Sequence, residues 1–283
     1  MAWEKKLVLA TGLGEVLQGA WVGEELHLSR GYFGGAAPVQ VLDAGGNPLR
    51  TYPDPFDAGD RRALTAYGGS VYTGAISGAV EEWNPATGAK IRDVGTLADG
   101  SADALLVNGA AGSERLYVGG GAVAAVHIHQ LSNFGFLGSF NQTQVWDPMM
   151  GEWQATQLSI IRGLAVYNGE IYVADQGIGG ISVHDLDGVF VRRIGIYAQA
   201  YDPMEPPAEA LLNFPPAGGV AVIGGKVYAT SVAARSFHRC DPDGSNRERL
   251  ADTFPEGSWS MGVWGKSGSA DQKSGSADQK SGS

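Results

Sequence analysis

Two histidines, His127 and His129, are spaced so that they could bind a metal ion. One residue separates them, so a β-strand would place both imidazoles on the same side of a sheet. With a carboxylate such as Asp175 or Asp202 they would offer the nitrogen and oxygen ligands that zinc accepts. The alternative is a pair that packs against a loop or faces solvent, because the pattern contains no third ligand of certain identity.

Several aspartates could supply the oxygen ligands of calcium. Asp57 and Asp60, together with Asp99 and Asp103, could bind Ca²⁺ through carboxylate and carbonyl oxygens. Aspartates that only form turns would explain the same residues. We therefore predict a protein without a cofactor, with bound Ca²⁺ or Zn²⁺ as the alternative.

Motifs for other chemistry are missing from the sequence. It contains no Gly-x-Ser-x-Gly, no His-Glu-x-x-His and no Gly-x-x-x-x-Gly-Lys-Ser. These motifs serve acyl transfer, zinc-dependent hydrolysis and phosphate binding, respectively. We therefore assign no catalytic residue.

Charge and composition exclude several classes of protein. The 283 residues include 43 glycines and carry a formal net charge of −10. An acidic protein repels phosphate backbones, so nucleic-acid binding is disfavoured. Cys240 is the single cysteine, so an internal disulfide is impossible.

Hydrophobic runs are short throughout the chain. The run that follows the first six residues is too short for the core of a signal peptide, and no run reaches the length of a membrane span. These features predict a soluble protein that is not exported, located in the cytoplasm or in a virion.

A repeated unit organises the chain. It consists of an apolar strand, a tight turn with glycine, and a second strand with a hydrophobic–tyrosine pair; the clearest copy is GLAVYNGEIYVAD at 163–175. Alternation with a period of two favours strands over helices. One position of the repeat is occupied by Tyr72, Tyr117, Tyr172 and Tyr228, and by His27 in the first copy.

A second signature follows the hairpins: an apolar residue, then Asp or Asn, then a short turn with glycine. Asp and Asn side chains bond the backbone ahead of them, and glycine accepts a positive φ. We interpret these turns as joining the third and fourth strands of each unit, and we expect His184 and Cys240, at the first position, to pack within blades. The copies lie at 42–45, 83–88, 146–151, 184–188 and 240–244.

Five units of four strands predict an all-β fold, a β-propeller of five full blades in residues 1–265. The segments 3–10 and 259–265 are further strands, which we expect to pair as a reduced sixth blade that closes the ring. A five-bladed ring with extra terminal strands is the alternative, as is a strand supplied by another chain. Residues 266–283 repeat KSGSADQ, contain no apolar residue larger than alanine, and are predicted to be a disordered tail, either native or appended.

The copy at 163–195 resembles an NHL repeat, both in GLAVYNGEIYVAD and in ISVHDLDG at 181–188. WNPATG at 83–88 and WDPMMG at 146–151 are more similar to kelch or quinone-enzyme blades. The resemblance implies a propeller. It implies no fixed catalytic residues, because such rings serve lyases, hydrolases and binding scaffolds alike.

The long insertions should emerge on one face of this propeller, where the second strand leads to the third and where one blade leads to the next. They cover 31–38, 54–62, 119–142 and 197–216. Long loops on a rigid scaffold commonly carry binding sites. The candidate binding residues are Tyr32, Phe33, Asp57, Asp60, Phe134, Phe136, Phe140, Asp175, Tyr201 and Asp202.

Two functions fit these features. The first is a non-catalytic propeller that presents its loops to a protein or a glycan, as a homo- or hetero-oligomer or as a subunit of a larger assembly such as a phage virion. The alternative is a metal-dependent hydrolase or lyase of the gluconolactonase or NHL-lyase type. Such enzymes need polar ligands that point into the tunnel, whereas the strands predicted to line it read Ala, Val, Leu, Gly and Trp.

Overall fold

The described part of the chain folds entirely into β-strands, turns and loops. The computed structural model describes residues 16–30, 39–52, 61–98, 100–120, 124–147, 149–195, 217–231 and 236–251. In these ranges there is no helix of the length and apolar character needed to cross a membrane. All pairings between strands are antiparallel, as the tight hairpins predict.

Five sheets of four strands form the blades, and in each of them the strands pair in chain order. Blade 1 contains β1 (Val16–Val22), β2 (Glu25–Arg30), β3 (Gln40–Leu42) and β4 (Pro48–Thr51). Blade 2 contains β5 (Arg61–Tyr67), β6 (Ser70–Ala75), β7 (Ala79–Trp83) and β8 (Lys90–Thr96). Blade 3 contains β9 (Ala104–Asn108), β10 (Arg115–Gly119), β11 (Val126–Gln130) and β12 (Phe136–Phe140).

A separate two-stranded sheet follows blade 3, formed by β13 (Gln142–Asp147) and β14 (Glu152–Gln157). Blade 4 contains β15 (Ile161–Tyr167), β16 (Glu170–Asp175), β17 (Ile181–Asp185) and β18 (Phe190–Ile194). Blade 5 contains β19 (Ala217–Ile223), β20 (Lys226–Ser231), β21 (Ser236–Cys240) and β22 (Glu248–Ala251).

The first strands of the blades lie side by side around a central axis. β1 packs against β5, β5 against β9, β9 against β15, and β15 against β19. The five-bladed propeller arrangement is therefore confirmed. The segments predicted to add a sixth blade, 3–10 and 259–265, and the tail at 266–283 lie outside the described residues.

The prediction for blade 3 was wrong in one respect. The turn that begins at Asp147 was expected to join its third and fourth strands, but those strands are β11 and β12, and the turn closes the extra hairpin β13–β14. The region 119–142, predicted to be a long loop, therefore contains two strands. The error arose because WDPMMG carries the same turn signature as the blades, while the true turn, at 131–135, lacks the aromatic–Asp pair.

The predicted chemistry of the turns is confirmed. The Asp147 carboxylate accepts the backbone N–H groups of Met149 and Met150, at 2.8 and 3.2 Å. The Asp185 carboxylate accepts those of Asp187 and Val189, at 3.0 and 2.8 Å. Asp43 and Asn84 form the same bonds in blades 1 and 2. The left-handed φ of 68° at Gly151 and 89° at Gly188 explains why glycine ends these turns.

Neighbouring blades are joined by apolar clusters. In blades 2 to 4 the repeated tyrosine enters the cluster shared with the following blade, whereas the residue before it enters the cluster shared with the preceding blade. Tyr172, for example, packs with Val227 of blade 5, and Ile171 packs with Tyr117 of blade 3. This alternation follows from the period of two along a strand.

Arginines add a polar link between neighbouring blades. Each donates to a backbone carbonyl in the turn between the third and fourth strands of the next blade. Arg192 of blade 4 donates to the carbonyl of Pro242 and is also bonded through two nitrogens to the carboxylate of Glu170, at 2.6 and 2.7 Å. The other links run from Arg50 to Pro85, from Arg92 to Leu131 and Ser132, and from Arg115 to Leu186.

Candidate functional site

The centre of the ring holds a cavity of about 220 Å³. The first strands of all five blades line it, and most of the side chains are apolar. In propellers this tunnel is the natural place to look for a small-molecule site, since concave sites are few per protein. Its larger side chains come from Gln18, Trp21, Leu64, Leu105, Leu106, Arg162, Leu164, Val166, Val220, Val222 and Ile223.

Gln18 crosses one end of this cavity. Its side-chain amide donates to the carbonyls of Asp103 and Arg162, at 3.0 and 2.8 Å, and accepts the N–H of Leu64 at 3.0 Å. A side chain of blade 1 thereby bonds to blade 2 and to residues at the start of the first strands of blades 3 and 4. Gln18, Asp103 and Arg162 lie at the beginning of first strands, and Leu64 lies in the middle of β5, so Gln18 narrows the tunnel toward the face of the predicted long loops.

Arg162 and Asp103 lie at the same end of the cavity. The Arg162 guanidinium donates to the Gln176 side-chain oxygen at 2.6 Å and lies 3.5 Å from the Asp103 carboxylate. The carboxylate is only 1 % exposed, against 31 % for the arginine side chain. The polar groups at this end of the cavity are therefore already bonded to other residues of the protein.

His127 and His129 lie on one side of strand β11, as predicted, with ring centroids 6.3 Å apart. The His129 ring stacks on Phe134 at 4.0 Å, and its Nδ1 is 3.1 Å from the Phe134 carbonyl. Burial lowers the pKa of His129. Within the described ranges no three His, Cys, Asp or Glu residues are grouped so that they could bind a metal ion, so the pair acquires no partner such as Asp175 there.

Asp175 was predicted to contribute to a binding face, but the structure corrects this. The residue is fully buried. Its carboxylate accepts the N–H groups of Ser159 and Gly177, each at 2.8 Å, and more weakly those of Ile160 and Ile178. Asp175 thus fixes the chain that enters and leaves blade 4, and it has no surface to offer a partner.

The three phenylalanines predicted at the rim separate into different environments. Phe134 lies in the turn between β11 and β12, on the face opposite to the predicted one, and packs at the contact between blades 2 and 3. Phe140 is buried between blades 3 and 4, with its ring 4.4 Å from that of His184. Both positions correct the prediction of a contact surface, whereas Phe136 is 62 % exposed.

The other predicted site residues cannot be placed. Tyr32, Phe33, Asp57, Asp60, Tyr201 and Asp202 lie outside the described residues, as does Asp99. Their assignment to a binding face remains a prediction from the sequence.

A buried serine–histidine contact resembles a catalytic pair at first sight. The Ser182 hydroxyl is 2.9 Å from Nε2 of His184, and Nδ1 of that ring faces the Gly188 carbonyl at 3.3 Å. Both side chains are completely buried, so no substrate can reach the hydroxyl. Ser182 also bonds to Thr143 at 2.8 Å. The Ser182–Thr143 bond attaches the extra hairpin to blade 4, and the His184 ring packs between Phe140 of blade 3 and Phe190 of its own blade.

Large apolar side chains are exposed on β12, in the turn of the extra hairpin, and at the start of β18 and just before it. The extra hairpin follows β12 in the chain, and its strand β13 contacts β18 of blade 4. We call their exposed apolar side chains the outer apolar patch: Phe136, Leu137, Met149, Met150, Val189 and Val191, which are 46–94 % exposed. The sequence analysis identified only Phe136 of this group, because it placed no strand at 136–140.

Comparison with known proteins gave no match to a protein-family model and none to a curated protein. The likeness of single repeats to NHL and kelch sequences is therefore not supported at the level of a family. The fold and the side-chain geometry carry the functional argument.

Proposed function

We propose that this protein is a non-catalytic β-propeller scaffold that binds a protein partner through the outer apolar patch. The observation that carries the proposal is the exposure of this patch, in which Met149 is 94 % and Met150 68 % exposed. Exposed apolar groups cost free energy in water, and clusters of them typically mark sites of protein association. Methionine also adapts its shape readily to a partner surface.

The tunnel gives less support to catalysis. A metal-dependent hydrolase or lyase would need several carboxylate or imidazole groups directed into the cavity. Here the lining is mainly aliphatic. The amide of Gln18 bonds to neighbouring blades, and the guanidinium of Arg162 bonds to Gln176 of its own blade and lies 3.5 Å from Asp103 at the start of blade 3. The polar groups at this end therefore act as links in the ring.

The chemistry of the patch favours a protein over a glycan. Its side chains are aliphatic or thioether groups apart from Phe136, whereas a surface that binds sugars needs convergent polar groups as well. In a larger assembly, such as a phage virion, a rigid propeller would attach to neighbouring subunits through these exposed apolar side chains. The proposal therefore includes such a subunit.

The test compares two matched pairs of substitutions. In the full chain, a photo-crosslinking amino acid replaces Met149, and in a control it replaces Ile91, which is 53 % exposed on blade 2. We expect one defined partner, or a second copy of this chain, to be captured at position 149 and not at 91. Phe136→Ser with Leu137→Ser should weaken that complex at least tenfold, whereas Leu49→Ser with Ile91→Ser should not.

Two results would overturn the proposal. The first is equal capture at positions 149 and 91. The second is stoichiometric bound zinc or calcium together with a turnover that His127→Ala abolishes, which would establish the enzyme alternative.

A further inference from the structure

The fourth strand of each blade ends its sheet on the side away from the central axis. These outer strands are β4, β8, β12, β18 and β22, and within the described part of the chain each of them pairs with the third strand of its own blade alone. An open edge presents backbone N–H and C=O groups that can pair with another strand. Proteins commonly prevent such pairing by placing charged residues or proline on the edge.

β12 differs from the other described outer strands because it lacks this protection. Its sequence, FLGSF, contains neither a charged residue nor a proline. The other four strands each contain at least one charged residue: PLRT in β4, KIRDVGT in β8, FVRRI in β18 and ERLA in β22. Among the described edges, that of β12 is therefore the best suited to accept a further strand.

The side chains and the backbone of β12 leave its edge accessible. Phe136 is 62 % and Leu137 54 % exposed, and Ser139 is exposed as well. A Cβ atom added to Gly138 would meet no heavy atom within 4 Å beyond its own chain neighbours. A strand glycine with open space around it is a point at which another backbone can approach closely.

The lack of charge extends well beyond β12. The sequence from 116 to 146 contains no Asp, Glu, Lys or Arg, although such residues make up 18 % of the chain. Arg92 of blade 2 reaches the turn before β12, but its guanidinium is paired with the carboxylate of Glu82. Like charges opposite each other destabilise a strand pair. The partner that fits β12 is therefore a strand edge that is itself uncharged.

We propose that β12 of a second copy of this chain occupies this edge, in an antiparallel pair across a two-fold axis. The inference rests on the proposed function, because Phe136 and Leu137 belong to the outer apolar patch, and it names both the partner and its way of binding. Among the described outer strands β12 is the one uncharged edge, and every copy of the protein presents it. A contact about a two-fold axis is closed, so we expect a dimer and not a fibre.

The pairing adds side-chain contacts to the backbone hydrogen bonds. A two-fold axis at Gly138 places Leu137 beside Ser139 of the second copy, and any shift along the strand still leaves uncharged neighbours. A strand of five residues forms few hydrogen bonds, so burial of Phe136 and Leu137 supplies much of the free energy. Each copy carries a net charge of −10, which opposes association and is screened by salt. We therefore expect a weak dimer that salt strengthens.

The first experiment uses the full chain without substitution. Light scattering over a range of protein concentrations should show monomers that associate to dimers, with more dimer at moderate than at low salt. Hydrogen exchange at the backbone amides of 136–140 should slow as the dimer forms, because hydrogen bonds between strands open rarely. The amides of β4 are the control and should exchange at the same rate at every concentration.

A second experiment adds a charge to the edge. Ser139→Lys places an ammonium group at an exposed position of β12, as Lys90 does in β8. It should weaken the dimer at least tenfold, because two like charges then lie close together across the strand pair. Thr51→Lys is the matched control, since Thr51 is also an exposed hydroxyl residue of an outer strand, and it should leave the dimer unchanged.

The remaining outcomes contradict the inference. A protein that stays monomeric at every concentration, or a dimer that Ser139→Lys leaves intact, would show that β12 does not pair with its copy. A dimer in which exchange at 136–140 stays constant would show association without strand pairing. A complex with a different protein at this edge, without self-association, would equally rule out the second copy, and crosslinking at position 149 would then decide the proposed function separately. If Ser139→Lys lowers the melting temperature, the exchange measurement on the unsubstituted protein decides.

Discussion

At the scale of single residues, the central cavity shows how one side chain can replace several backbone contacts. The first strands begin with carbonyl and N–H groups that point into the tunnel, where they have no strand to pair with. The Gln18 amide satisfies three of them at once, from three different segments of the chain. An amide is suited to this position because it both donates and accepts hydrogen bonds.

We predict that Gln18→Leu lowers the free energy of unfolding by about 2–4 kcal/mol, since it leaves two carbonyls and one N–H without their partner in a confined space. The control is Gln142→Leu, because Gln142 is exposed and, among the described residues, its amide donates to the adjacent Asn141 alone. Urea unfolding of the two variants and the parent measures the difference. Equal stability of both variants would show that water replaces the lost bonds.

At the scale of elements, blades are held together both by apolar clusters and by the arginine links. Arg192 illustrates the second: it bonds to Glu170 within blade 4 and to the Pro242 carbonyl of blade 5. A planar guanidinium donates to both carboxylate oxygens from two nitrogens and also to the carbonyl, a geometry that the single nitrogen of an ammonium group does not reproduce. The link therefore depends on shape as well as on charge.

Arg192→Lys should consequently lower the free energy of unfolding by about 2 kcal/mol, although the charge is retained. Arg239→Lys is the matched control, because Arg239 pairs with the half-exposed Glu248 inside blade 5, and exposed pairs contribute about 1 kcal/mol or less. Thermal or urea unfolding of both variants, at low and at moderate salt, measures the two losses of stability. A loss at Arg239 as large as that at Arg192 would refute a special role for the contact between blades.

The elements also show which structural features can be predicted from the sequence and which cannot. Turns that begin with Asp or Asn depend on bonds between residues two to four positions apart, so they and the strands beside them were predicted correctly. The extra hairpin uses the same local chemistry as a blade, and nothing local distinguishes the two. The contacts of Gln18 and Arg192 join residues 46 to 144 positions apart and 50 positions apart, respectively, so they become visible only in three dimensions.

The candidate site was harder to predict for a related reason. His129 and Phe140 have residue types that suggest binding, but stacking on Phe134 and packing against His184 depend on the pairing of β11 with β12. The exposed patch, in contrast, is made of ordinary apolar residues. Its functional interpretation depends on the solvent exposure of these side chains, which cannot be read from the sequence.

At the scale of the whole molecule, the burial of two histidines makes the stability of the fold depend on pH. His27 and His184 are completely buried in blades 1 and 4, and burial lowers the pKa of each from 6.5 to about 4. His27 is also bonded through Nδ1 to the Tyr52 hydroxyl at 2.8 Å. Both rings are therefore neutral in the folded protein at pH values where the unfolded chain protonates them.

Because the unfolded chain binds more protons than the folded protein between pH 6.5 and 4, stability falls as the pH is lowered through this window. From pH 7 to pH 5 each of the two residues should cost about 2 kcal/mol of the free energy of unfolding. His184→Leu should remove its own contribution of about 2 kcal/mol between pH 7 and pH 5. Leucine should fit there because it occupies the same repeat position in blade 1. Cys240→Leu is the control at the same position in blade 5, because burial raises the pKa of that thiol to about 12 and it does not titrate here. Urea unfolding at pH 7, 6 and 5 measures the slopes, and an unchanged slope in His184→Leu would mean that this ring is not the origin of the acid sensitivity.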